Sequence, residues 1–529
     1  MSRRPTGSVA RRLTQAAVLV AAITVVARVF GFGRWLVFSK TVGAGCLADS
    51  YATANQLPNV LFEVVVGGAL AGAVIPVLAG PVERGDRAAQ GRIIGGLLTW
   101  SLLLLAPVAV VAWILAGTYT DAMLDGCPGS AATAARMLAI FVPQVFGYAV
   151  AVIATAVLQT HHRFAPGALA PLVSSLVVIG TYLLFAGQAP VADQASRDAI
   201  DLLAWGTTLG VAALALTVLV PMLVLRLPIR PVLRFDPGVA PVARRLALAG
   251  LAALVAQQLA FLAITYFANH RGTDGSVALY TWAYAIYLLP FAVLIQPITT
   301  AVFPRLSTAY TSGSGFAGLA AISTRAVLLA SGLGAAILGA TALPVAWVFV
   351  YDHGTVDQVR GYALADALIW LGPALIGFGL LMHGGRMLYA RHAGRAVAFV
   401  TVGAWVVTAV VGAIVTVFWD GPNVVQGLAA GMAAGMLAGG IGMVIVVRRI
   451  AGPDSVAGVT RVALVALVAA ALGGFVGRIV AAPVTDGGWQ AGIVFAVLSG
   501  LAGVAVYGVL VWLLAMQDVR FLLRRGRSA

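Results

Sequence analysis

The stretch LTQAAVLVAAITVVARVFGFGRWLVF, residues 13–38, decides the class of this chain. It is apolar for long enough to cross a hydrocarbon core of roughly 30 Å as a helix, yet it contains Arg28 and Arg34. An arginine near the centre of a membrane helix costs at least about 2.5–3.5 kcal/mol on insertion scales, so lipid-facing examples are rare. Arg28 lies ~22 Å along the helix at ~1.5 Å per residue, past the midpoint of that core. Its guanidinium is expected to face a wet or protein-lined cavity, with an anionic group as the reason for its presence.

The rest of the chain repeats the apolar pattern. Of 529 residues, 61% are hydrophobic and 10% charged, more apolar surface than a soluble fold of this length can use. Runs of membrane-spanning length fall at 13–38, 51–80, 93–117, 132–158, 164–187, 198–226 and 241–268. They continue at 276–304, 320–350, 360–390, 395–418, 422–447, 460–482 and 488–516. The expected fold is therefore an all-α integral membrane protein of about fourteen transmembrane helices.

The net charge of +15 suggests nucleic acid, but its distribution does not. With the N-terminus placed in the cytoplasm, arginines such as Arg12, Arg87, Arg163, Arg230, Arg325, Arg391, Arg449 and Arg525 fall on the cytoplasmic side. The other side receives only Lys40, Arg197, Arg271 and Arg360 and most of the aspartates. This is the positive-inside pattern, and it places both termini in the cytoplasm of a multi-pass inner-membrane protein with no nucleic-acid partner. A signal peptide is a poor reading of the N-terminus: the apolar run is too long, contains arginine, and precedes no soluble domain. Cys46 and Cys127 both fall in outward loops, and two unrelated small apolar residues are expected rather than a disulfide.

Twelve spans divide at the 226–245 loop into two sets of six with the same orientation, as in transporters built from parallel repeats. The expected domains are an N-terminal lobe at 1–230, a C-terminal lobe at 231–450, and two extra helices with a short basic tail at 451–529. Gly427, Gly431, Gly435 and Gly439 fall four apart and should form a smooth ridge for close helix contact. Pro76, Pro143, Pro171, Pro290 and Pro373 lie in or near spans, where they bend helices that line cavities.

Specific motifs narrow the class. ARVFGFGRW at 27–35 and VGAGCLADSYATANQLPNVLFEVVVGGALAGAVIPVL at 42–78 resemble the opening of the MurJ (MviN) family. So do LQTHHRFAPGALAPLV (158–173), LLAWGTTLG (202–210), RFDPGV (234–239) and GPALIGFGLLMHGGRMLYAR (372–391), in the family's order. That family is the lipid II flippase branch of the multidrug/oligosaccharidyl-lipid/polysaccharide exporter superfamily. The resemblance implies translocation of an undecaprenyl-pyrophosphate-linked peptidoglycan precursor by alternating access. A pyrophosphate and sugar headgroup cannot cross hydrocarbon unaided, and arginines in a cavity would supply charge-assisted contacts to phosphate oxygens. In the family, the last two helices are associated with a groove for the lipid tail, which gives 460–482 and 488–516 a purpose.

Matched position by position, the resemblance gives Arg28 and Arg34 as the cavity arginines of the first helix and Asp49 as the aspartate of the following segment. Snorkelling of Arg34 and helix capping by Asp49 stand as alternatives. Arg136 opens a family-like fourth helix and is a further cavity candidate; Asp366 is the candidate ion-coupling carboxylate. The chain also departs from the family: Phe62 and Glu63 replace paired arginines, and Ala285 replaces another. Glu63, ~18 Å into its helix, stands at a depth where it could pair with Arg28. Arg386 and Arg478, near helix ends, are expected to snorkel.

The six histidines show no metal-ligand spacing and no cofactor is called for. The envelope-enzyme reading fails for want of clustered acidic or His/Ser loop motifs. Lipid II flipping leads; a polysaccharide-unit flippase, a drug/cation antiporter, and a non-transporting scaffold for cell-wall proteins are the alternatives. The expected partners are the membrane and an anionic lipid-linked glycan.

Overall fold

A computed structural model describes residues 7–64, 71–233, 239–352 and 355–526. The helices of the first half are α1 (Gly7–Thr41), α2 (Cys46–Phe62), α3 (Ala71–Glu83), α4 (Arg87–Ile114), α5 (Ala116–Met123), α6 (Ser130–Phe141), α7 (Gln144–Thr160), α8 (Ala165–Gln188) and α9 (Arg197–Leu223). Those of the second are α10 (Val239–Arg271), α11 (Ser276–Pro290), α12 (Gln296–Thr311), α13 (Phe316–Val350), α14 (Gln358–Ala390), α15 (Gly394–Phe418), α16 (Val424–Ala451), α17 (Val459–Ala481) and α18 (Trp489–Gly526). Among the described residues, strand pairing is limited to one short antiparallel pair, Tyr351 with Val356 and Asp352 with Thr355.

Thirteen helical stretches among the described residues are long and apolar enough to span a membrane. The expected span at 51–80 is not among them, since residues 65–70 lie outside the description. Its first part is the 17-residue α2, which contains Pro58 and runs into a π turn at residues 63–64; α3 follows after residues outside the description. The expected span at 276–304 is interrupted by a π segment at Phe291–Ile295 between α11 and α12. That at 132–158 breaks at Val142–Pro143 between α6 and α7. The RFDPGV motif is described only at Val239, and His353 lies outside the described residues.

The chain forms two compact units, Met1–Leu254 and Val255–Ala529, dividing inside α10. The core of the first joins Val74 and Leu78 of α3, Ile94 and Leu97 of α4, Ile153 and Val157 of α7, and Val218 and Met222 of α9. In the second, Leu328 and Ala336 of α13 and Ile376 of α14 meet Val462 and Ala469 of α17 and Tyr507 of α18. The last two helices are thus packed into the second unit. Helix surfaces left exposed, such as Phe399, Val410 and Phe418 on α15, are those that face lipid.

Small residues set the closest approaches. The ridge expected on α16 forms: Gly431 lies against Gly412, Gly435 against Thr408 and Ala404, and Gly439 against Ala404. Lipid supplies no hydrophobic drive between helices, so backbone proximity of this kind carries the packing. The units also share a local turn. After α7, Arg163 N–H donates to Leu158 O at 2.8 Å with His162 at φ 59°; after α14, Ala393 N–H donates to Leu388 O at 2.8 Å with His392 at φ 59°.

Candidate substrate-binding site

The second half of α1 is held by an aromatic and hydroxyl network. Phe38, fully buried, meets Tyr51 of α2 at 5.1 Å and Tyr182 of α8 at 5.2 Å between ring centroids. The Tyr51 hydroxyl is 3.0 Å from that of Tyr182 and 3.1 Å from Thr207 Oγ1 of α9. Four helices are tied at one level, one turn from Arg34.

Arg34 is half-buried, with its guanidinium 5.2 Å from the Trp35 ring and its Nε buried without a hydrogen-bond partner. Arg28 is exposed beside buried Ala27, with no ion-pair or hydrogen-bond partner among the described residues. Glu63 is half-buried where α2 ends, and no ion pair joins it to Arg28 among the described residues. Phe62, in place of a family arginine, packs on Tyr148 at 4.8 Å.

Further polar atoms in this unit were not singled out from sequence. Asn55 follows Tyr51 by one turn, on the face between the Tyr51–Phe141 and Phe62–Tyr148 contacts. Its Oδ1, Gln56 Oε1 and Gln144 Oε1 are buried and unpartnered; the Gln144 amide nitrogen donates to Thr208 Oγ1 at 2.9 Å. Buried polar groups are nearly always satisfied, so these atoms leave acceptors in the interior of the first unit open to a polar ligand or solvent. The polar run ATANQ inside an apolar span was the available signal.

Asp49 is 5% exposed in the first turn of α2. The cap comes from Asp193 in the α8–α9 loop, whose Oδ1 accepts from Leu47 N–H at 2.8 Å. Next to it Cys46 and Cys127 are disulfide-bonded with Cα atoms 5.9 Å apart, which corrects the expectation of two unrelated residues. Ser50 Oγ donates to Ser130 O at 3.2 Å. Together these contacts pin the start of α2 to the α5–α6 and α8–α9 loops, a proximity that linear spacing does not reveal.

Arg136 and Asp366 are both engaged. Arg136 Nε donates to Asp201 Oδ1 at 2.6 Å and its NH2 group pairs with Oδ2, a bidentate link between α6 and α9. Asp366 of α14 is 3.5 Å from NH1 of Arg478 of α17. Arg478 thus reaches an acidic partner within the second unit, and pairing offsets the cost of holding either charge in a membrane helix. Arg386 NH1 likewise donates to Thr300 Oγ1 at 2.8 Å. His383 is fully buried on α14, with Nε2 2.9 Å from Ser323 Oγ.

A family model described as lipid II flippase MurJ matches residues 38–500. A lipid II flippase MurJ from Burkholderia cenocepacia is 25% identical over 411 residues, 75% of this chain and 77% of that one. Among solved structures, a lipid II flippase MurJ in an inward closed conformation aligns with a TM-score of 0.74 at 14% identity, over 95% of this chain and 100% of its own. An inward-facing multidrug resistance MATE family transporter aligns with a TM-score of 0.67 at 16% identity, over 83% of this chain and 99% of its own. The matched family stretch begins after Arg28 and Arg34, so their role rests on the N-terminal motifs and on the geometry above.

Proposed function

Because the chain belongs to the lipid II flippase MurJ family, we propose that it translocates lipid II across the bacterial inner membrane by alternating access between two six-helix lobes. The observation that carries this reading is the family match across residues 38–500. The family is one of transporters, not of catalysts, and its substrate is lipid-linked. Both termini are placed in the cytoplasm by the arginine asymmetry.

Arg28 and Arg34 are the proposed contacts to the pyrophosphate. Arg28 is free of partners among the described residues and Arg34 has an unused buried donor, so neither has its charge neutralised. Phosphate oxygens suit a guanidinium's planar set of donors. Arg136 is assigned to positioning, since Asp201 already takes its bidentate face. Asp49, buried beside the Asp193 cap and the disulfide, is proposed to hold the start of α2 in place. Glu63 opposes an anion, which concentrates the work on the two α1 arginines. Asp366 is proposed to couple ion or potential changes only through its pair with Arg478.

The test is rescue of a bacterium depleted of its lipid II flippase. The wild-type chain restores growth, and Arg28→Ala reaches the membrane without restoring it. Full rescue by that variant overturns the cavity role. A second reading, an antiporter or polysaccharide-unit flippase, draws on the MATE likeness and on Phe62 and Ala285 standing where the family has arginines. Competition between lipid II and other polyprenyl-linked headgroups in a reconstituted assay separates the two.

A further inference from the structure

The chain that leaves α9 is a docked strap. Past a turn at Val224–Leu225 it continues without helix or strand to residue 233, with Leu225, Leu227 and Ile229 packed against the core of the first unit and Arg226, Pro228 and Arg230 exposed. The strap lies on α4, where Gly91 and Gly95 make room for it. A Cβ at Gly91 would overlap the carbonyl of Pro228, and one at Gly95 that of Arg230. Arg87 donates to the carbonyls of Leu225 and Arg226, and Trp100 Nε1 donates to Leu233 O at 3.1 Å.

Two features set Arg226 and Arg230 apart from arginines that merely record topology. They alternate with the partly buried Leu225, Leu227 and Ile229, and neither side chain has a partner among the described residues. Arg226 also sits at φ 50°. Ten other positive-φ positions among the described residues are glycine; those that are not are His162, Arg226 and His392. A left-handed conformation costs an L-residue about 1–2 kcal/mol that glycine avoids.

We propose that the strap is a docking edge for the bilayer's own anionic phospholipids, with Arg226 and Arg230 taking the headgroup phosphate and Trp100, 39% exposed, sitting at the headgroup level. Each arginine near an anionic surface contributes about a factor of five, so the pair is worth about thirtyfold. This binding needs no translocation, and so stands or falls apart from the flippase reading.

The test is native mass spectrometry of the full-length protein titrated with phosphatidylglycerol, with phosphatidylcholine as the neutral probe. Arg226→Gly relieves the backbone while removing the charge, so folding is not at stake; it is combined with Arg230→Gln. The double variant should lose about thirtyfold in apparent phosphatidylglycerol affinity and nothing for phosphatidylcholine, whereas Arg226→Lys with Arg230 intact keeps most of the binding. Arg448→Gln with Arg449→Gln removes two exposed arginines from the other unit and should change affinity less than threefold. An equal loss in the two double variants, wild-type binding in the strap variant, or displacement of the lipid by millimolar inorganic phosphate overturns the proposal.

Discussion

Replacing Gly435 with alanine tests the helix packing of the second unit most sharply. A Cβ at this position would stand 2.5 Å from the Ala404 carbonyl oxygen and 2.7 Å from Thr408 N, both backbone atoms of α15. Ordinary contact needs about 3.5 Å, so roughly 1 Å must come from moving the helices apart. Overpacking of this kind costs about 1–3 kcal/mol. Alanine also returns up to ~1 kcal/mol of helix propensity, which obscures the cost in a single variant. Gly403→Ala, on α15 with nothing within 4 Å of its Cβ, collects the same propensity gain without the clash. The difference between the two variants isolates the contact at about 1–3 kcal/mol. Thermal loss of the monodisperse peak in one detergent should rank Gly403→Ala at or above wild type and Gly435→Ala below it. Equal melting of the two variants refutes the ridge.

Other consequences follow from pairs that the structure joins. In a double-mutant cycle on Arg136→Ala and Asp201→Ala, read by thermal unfolding, the bidentate but solvent-screened pair should show a small positive coupling; zero coupling would mean the helices do not use it. Asp366→Asn strands the Arg478 charge and should destabilise more than exchanging the two residues, as melting would show; a stable exchange variant that cannot translocate would give Asp366 a coupling role of its own. Maleimide should label Cys46 and Cys127 only after reduction, and serine at both should lower the melting temperature, with about 4.5 kcal/mol as the chain-entropy value for a separation of 81 residues. Labelling without reductant would contradict the bond.

Much of this architecture was legible because a bilayer leaves the sequence few options. A span needs a sustained apolar run, and the expected spans become helices wherever the run is uninterrupted, from α1 at 13–38 to α18 at 488–516. The glycine ridge was legible for the same reason: four-residue spacing on a helix is already a statement about one face. The interruptions were harder. Pro143 and Pro290 marked two of them, but hydropathy averages over a π turn and does not register where the backbone slips. Contacts that depend on which loops meet were out of reach. Nothing near Asp193 says that it will cap a helix begun at Cys46, and nothing in the spacing of Cys46 and Cys127 brings them together. The charged pairs show the same divide. Arg136 and Asp366 were visible as costly charges in membrane helices, while Asp201 and Arg478, the partners that make them affordable, became apparent only once α9 and α17 were in place.

The central claim is that the two α1 arginines carry the pyrophosphate. Its most direct test is lipid II translocation in proteoliposomes containing the purified chain, with Arg28→Ala and Arg34→Ala beside wild type. A hydrogen bond to a charged group is worth about 1.5–3 kcal/mol, so each variant should fall at least about tenfold in rate at subsaturating lipid II. Wild-type rates in both variants would contradict the account.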